Sequence, residues 1–108
     1  MHFGVLGPVT AWSAAGTPVA IPGRKVRALL AVLLVHEGRP VPAHRLVDDL
    51  WDGQPPGKPA ATLSAKVSQL RAALERAEPG AGRLVVSPPP GYALRLRPGD
   101  VDVHRFRD

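Results

Sequence analysis

Cysteine is absent from the 108 residues, so neither a disulfide framework nor a thiolate metal site can be argued. No apolar run approaches the roughly 20 residues that a membrane helix needs, and the N-terminus lacks the charged start of a secretory signal. Those absences point to a soluble cytoplasmic domain. Lysine is scarce: Lys25, Lys58 and Lys66 are the only ones, so the net charge of +5 is carried mostly by arginine. Residues 1–22 contain no Lys, Arg, Asp or Glu, and no acid occurs from Gly53 to Leu74. A helix that merely faces water mixes Glu with Lys, so the second gap is unusual for an ordinary solvated surface.

What is present suits one small domain. A hydrophobic content of 44% supports a modest core and excludes wholesale disorder. A basic balance favours a nucleic-acid partner, a trait that ribosomal and membrane-surface proteins share. The uncharged N-terminal segment holds HFGVLG, VTAW and PVAIP, short β-prone pieces separated by glycine and proline, which predict a small antiparallel sheet of about three strands. A helix is expected from Arg24 to His36, apolar around nearly its whole circumference, stopped by Glu37-Gly38-Arg39-Pro40 with Gly38 as a left-handed cap. A second helix is expected from Pro42 or Ala43 to Trp51, and the run DGQPPGKP, Asp52 to Pro59, reads as a loop.

The stretch ATLSAKVSQLRAAL, continued to Ala77, predicts a third helix from Ala61. Leu63, Val67, Leu70 and Leu74 form its buried stripe. Ala61, Ala65, Ser68 and Ala72 lie opposite, flanked by Thr62, Ser64, Lys66, Gln69 and Arg71. The remaining chain reads as a hairpin with strands Arg83–Ser87 and Tyr92–Arg97, placing Tyr92, Leu94 and Leu96 on one face and Ala93, Arg95 and Arg97 on the other.

Strands, three helices and a hairpin make an α+β chain with the layout of a winged helix-turn-helix: an N-terminal antiparallel sheet, a three-helix core and a C-terminal β-hairpin wing. A helix entering the major groove, about 12 Å wide, needs one apolar anchoring face and one free of acids and bulk. On that reading Lys66 and Arg71 reach phosphates or guanine edges, Gln69 pairs with adenine, and Thr62 and Ser64 bond a phosphate or a base. Blander readings stand beside it. The third helix can be a solvated helix, Trp51 and Tyr92 can be packing residues, and Arg24, Lys25 and Arg27 can simply solubilise the first helix.

The strings GRKVRALLAVLLVHEGRPVPAHRLVDDLW, PPGKPAATLSAKVSQLRAAL and PPPGYAL resemble the DNA-binding domain of the SARP regulators, an OmpR-type winged helix. The landmarks are Leu50-Trp51, Val67-Ser68-Gln69-Leu70-Arg71 and Gly91-Tyr92, and the resemblance runs from about Leu6 to the C-terminus. It implies residues 1–98 as the DNA-binding domain and residues 99–108, with VDVHRF, as a tail similar to the start of a bacterial transcriptional activation domain. The chain is then either cut at a domain boundary or a short protein keeping the DNA-binding part.

By position, the resemblance implies a recognition helix at residues 61–77, with Thr62, Ser64, Ala65, Lys66, Ser68, Gln69 and Arg71 at or beside the groove. Trp51 and Tyr92 would lean on the phosphate backbone. The loop bearing Gly53, Gln54, Gly57 and Lys58 would touch RNA polymerase holoenzyme. Direct-repeat operators would take two monomers side by side. One departure matters: Pro88 stands where the family usually has an arginine before Pro-Pro-Gly-Tyr, and Ala93 where another is common, leaving wing contacts to Arg95 and Arg97.

No chemistry of another kind stands out. Asp48, Asp49 and Asp52 cluster at a helix end with no histidine at ligand spacing, and His2, His36, His44 and His104 are scattered. No nucleophile elbow, phosphate-binding glycine loop or carboxylate pair is present. No catalytic residue, metal or cofactor is therefore expected, and the chain is not expected to be an enzyme. Two alternatives to a transcriptional activator remain: a winged-helix protein-interaction module, and the output domain of a two-component response regulator. The VDVHRF tail weighs against the second.

Overall fold

The computed structural model describes residues 2–5, 9–12, 19–21, 23–89 and 91–95. Two strands, β1 (His2–Val5) and β2 (Val9–Trp12), pair antiparallel with Phe3 opposite Ala11. The third strand expected from PVAIP does not form among the described residues. Val19–Ile21 is irregular chain that reaches β2 through one bond, the Val19 N–H to the Ala11 carbonyl at 2.8 Å. Phe3 and Ala11 point into the core and are fully buried.

Helix α1 (Arg24–Val35) follows, and Val26, Leu29, Leu30, Leu33 and Leu34 bury its main stripe. Glu37 and Gly38 both take positive φ, 52° and 87°, so the chain reverses over two residues rather than one. Strand β3 (Val41–Pro42) then leads straight into helix α2 (Ala43–Trp51). Asp52, with φ 49°, and Gly53, with φ 78°, turn the chain out of α2 into the loop.

Helix α3 runs Pro59–Ala77, two residues longer at its start than the spacing predicts. Pro59 is its first residue and not part of the loop. Its fixed φ suits the first turn, where the missing N–H costs nothing. Leu63, Val67, Leu70, Ala73 and Leu74 are buried.

The hairpin is shorter than expected: β4 is Val85–Val86 and β5 is Gly91–Leu94. Arg83 and Leu84 belong instead to a short 3-10 turn, Ala81–Leu84, entered through Gly80 at φ 90°. Strand β5 lies between β3 and β4 in a three-stranded antiparallel sheet. Val41 faces Tyr92, and Val85 faces Leu94. The edge position of β3 explains how a strand can contain Pro42, which has no N–H to donate.

Ala93 is buried alongside Leu94, although alternation places them on opposite faces of the strand. Leu94 joins the core. Ala93 floors a cleft of about 460 Å³ walled by Glu37, Gly38, Arg39, Val86, Pro88 and Arg95. Arg97 and Leu96, and the whole VDVHRF tail, lie outside the described residues.

One cluster joins these elements: Leu29, Leu30 and Leu33 from α1, Leu46 from α2, Leu63, Leu70 and Leu74 from α3, and Leu94 from β5, all fully or almost fully buried. Each such side chain contributes about 1.5–3 kcal/mol of transfer free energy.

Candidate nucleic-acid interface

Helix α3 has four longitudinal strips, and each follows from its spacing. The inward stripe is apolar and anchored. Opposite it, Ala61, Ala65, Ser68 and Ala72 form an exposed ridge in which no side chain is longer than serine's hydroxymethyl. Such a ridge lets another surface approach the helix backbone closely. On the side toward α1 and α2 lie Thr62 and Lys66, half-buried, and Gln69, exposed. Lys66 and Gln69 help line a cleft of about 650 Å³ that also takes in Arg24, Lys25, Asp49 and Asp52.

The wing-side edge carries Ser64, Arg71 and Glu75. Ser64 is exposed. Arg71 is half-buried and turned toward the sheet: its Nε donates to the Val85 carbonyl at 2.9 Å and its Nη2 to Ser87 Oγ at 2.9 Å. One turn on, Glu75 accepts from the Gly80 N–H at 2.7 Å and the Gly82 N–H at 3.1 Å. These two backbone bonds hold the Glu75 carboxyl below its ordinary value, the Gly80 bond foremost, with nearby Arg83 adding a smaller effect. Gly82 belongs in this contact because a Cβ there would lie 3.0 Å from the Arg71 carbonyl oxygen.

Trp51 is half-buried and packs on the core. Lys25 lies over its ring, Nζ 5.2 Å from the centroid, and donates to the Leu50 carbonyl at the end of α2. The bland expectation for Lys25, a solubilising charge, is therefore too weak. It closes α2 and supports the indole by a cation–π contact. Nothing local in the sequence signals this, because the partners are 25 residues apart.

Tyr92 is half-buried against the core, on the central strand beside Val41. Arg95 is exposed just past β5, with its backbone N–H held by the Leu84 carbonyl at 2.6 Å. Arg39, which the sequence pattern does not single out, is exposed on the same cleft as Arg95, and its Nε donates to the His36 carbonyl at 3.0 Å.

The loop after α2 stands clear: Gly53, Gln54, Gly57 and Lys58 are all exposed, and a Cβ on Gly57 would meet nothing within 4 Å. Asp48, Asp49 and Asp52 are exposed as well. Among the described residues no group of three or more His, Cys, Asp or Glu side chains is placed to hold a metal ion. No helix among them is long and apolar enough to cross a membrane.

The structure thus gathers Thr62, Ser64, Ala65, Lys66, Ser68 and Gln69 around one open ridge, whereas the Arg71 side chain turns from α3 to bond the wing.

Comparison with known proteins agrees with this geometry. Residues 16–94 match the family described as "Transcriptional regulatory protein, C terminal". The chain is 42% identical over 109 residues to the regulatory protein AfsR of Streptomyces coelicolor, covering all of this chain and 10% of that protein. It is 39% identical over 111 residues to the transcriptional regulator RedD of the same species, covering 98% of this chain and 31% of the relative. The solved structure of Mycobacterium tuberculosis EmbR in complex with a low-affinity phosphopeptide superposes with a TM-score of 0.84 at 36% identity, over 97% of this chain and 27% of that one. The chain therefore spans between a tenth and a third of the length of these relatives.

Proposed function

From the premise that this chain belongs to the family of C-terminal domains of transcriptional regulatory proteins, with SARP-type regulators among its relatives, we propose how it reads DNA. Helix α3 enters the major groove with its ridge of Ala61, Ala65, Ser68 and Ala72 against the base edges. That exposed, acid-free ridge is the observation that carries the reading. Lys66 and Gln69 contact bases or phosphates from one side, helped by Thr62 and Ser68, and Ser64 from the other. Trp51 and Tyr92 rest on the phosphate backbone, and Arg95 supplies the wing's charge in place of the arginine that Pro88 displaces.

The loop of Gly53, Gln54, Gly57 and Lys58 docks on RNA polymerase holoenzyme. The chain works in the cytoplasm at the nucleoid as an activator domain, monomeric in solution and paired side by side on direct repeats. No catalytic step is assigned to it. The wing without its arginine is the one observation that favours the rival reading, a protein-interaction module.

The test is a titration of the chain against a pool of random duplexes at two salt concentrations, with the bound fraction sequenced. A repeated short motif is expected, with affinity falling steeply as salt rises, by a log–log slope of about −0.9 per phosphate contacted. Binding without enrichment removes the sequence-reading claim. No binding at low salt overturns DNA recognition and leaves the interaction module.

A further inference from the structure

Arginine on a groove-entering helix is the commonest reader of guanine, and the sequence pattern puts Arg71 in that role. Its hydrogen bonds point elsewhere. Two of its five N–H donors are committed inside the protein, Nε to the Val85 carbonyl and Nη2 to Ser87 Oγ, both at 2.9 Å. Val85 belongs to β4, which among the described residues has only β5 beside it, and Ser87 begins the wing loop. The same residue is gripped from its backbone side, where the 3-10 turn packs against its carbonyl at Gly82. Glu75, one turn further along the same edge, holds the N–H groups of Gly80 and Gly82. The fork of Arg71 therefore spans from α3 to both the strand and the loop of the wing.

We propose that Arg71 is a positioning residue that sets the wing against helix α3, and not a reader of bases. The inference rests on the DNA-binding reading given above. Two elements that must engage one duplex together bind better when their relative geometry is set beforehand, because the ordering cost is not met on binding. A planar fork bonded at two points fixes an angle, whereas the single ammonium of lysine fixes only a distance.

The test compares Arg71→Gln, Arg71→Lys, Ser87→Ala and the Arg71→Gln/Ser87→Ala double variant on the enriched duplex. Arg71→Gln and Arg71→Lys are expected to lose affinity alike, by about tenfold, and the double variant to fall no further than Arg71→Gln, as for residues acting through one contact. The bases preferred by α3 stay the same, while backbone protection on the wing-side flank of the duplex is lost. In the free protein, amide exchange at Tyr92, Ala93 and Leu94 quickens in both Arg71 variants.

On the duplex, three results overturn the proposal. They are wild-type affinity in Arg71→Lys, independent and additive losses in the double variant, or loss of preference at a single base position with flank protection intact. If the wild-type chain binds no duplex, the DNA reading fails on its own. The exchange measurement still decides the clamp, since unchanged exchange in Arg71→Gln refutes it.

Discussion

Helices α1 and α3 carry the same inward leucine stripe and differ in what lies behind it. In α1 the flanks are apolar too: Ala28, Ala31 and Val32 are half-buried, and the helix is surrounded on most sides. In α3 the back is a broad exposed strip of alanine, serine and glutamine. One helix is scaffold throughout, and the other is scaffold on one side and, on the function proposed above, instrument on the other. The lesson is that burial alone does not separate them. The chemistry of the residues left outside does.

That contrast can be broken by substitution. Leu30→Ala in α1 and Leu70→Ala in α3, both fully buried, are expected to cost about 2–5 kcal/mol each in a urea titration, so the inward stripes behave alike. A clearly cheaper Leu70→Ala would mean that α3 is not anchored as described. Next in size, Ala65→Glu on the open ridge should lower specific DNA affinity by at least about tenfold through like-charge repulsion, with a melting temperature near wild type. Arg27→Glu, exposed on α1, should do much less to specific binding. Equal losses from the two would erase the distinction between the helices.

Gln69→Ala should cost about 1–3 kcal/mol on the specific duplex and leave nonspecific binding nearly unchanged. A uniform loss across sequences would make Gln69 a backbone contact instead.

The smallest expected effect sharpens the wing-side edge. The Glu75 carboxyl sits below its ordinary value of 4.5 when folded. Its charged form therefore stabilises the fold at pH above that ordinary value, and the increment disappears as pH falls through the lower folded value. Glu75→Gln should flatten the loss of stability on acidification below about pH 4.5, measured by thermal melts across pH. An unchanged acid profile would show that the Gly80 and Gly82 bonds carry no stability.

The helices were legible because their signals are local. Gly38 and the Gly-Pro loop punctuate them, and the leucine spacing names the buried side, although the first turn of α3 at Pro59 was hidden among the loop's prolines. Strand β3 was not legible: two residues, one of them proline, have no period to read, and only pairing with β5 makes them a strand. The overlong first strand of the hairpin came from reading Arg83 and Leu84 by propensity, where the contact of Gly82 with α3 bends the chain.

The candidate interface divides in the same way. The exposed placement of Ala65, Ser68 and Gln69 on α3 follows from helical spacing. The turn of Arg71 toward Val85 and Ser87, and of Lys25 toward Trp51, depends on partners 14 to 26 residues away. No helical wheel contains them.

Gly91 closes the account of the wing. A Cβ at this position would lie 1.9 Å from the Val41 carbonyl oxygen and 2.8 Å from the Ala43 nitrogen. The wing is thus sewn to the segment joining α1 to α2 at a point where no other residue fits without moving backbone. For anyone exchanging wings between relatives to change which DNA flank is recognised, this marks the splice limit. A transplanted hairpin must bring a glycine to position 91, whereas the loop between Ser87 and Gly91 is the place to vary length and charge.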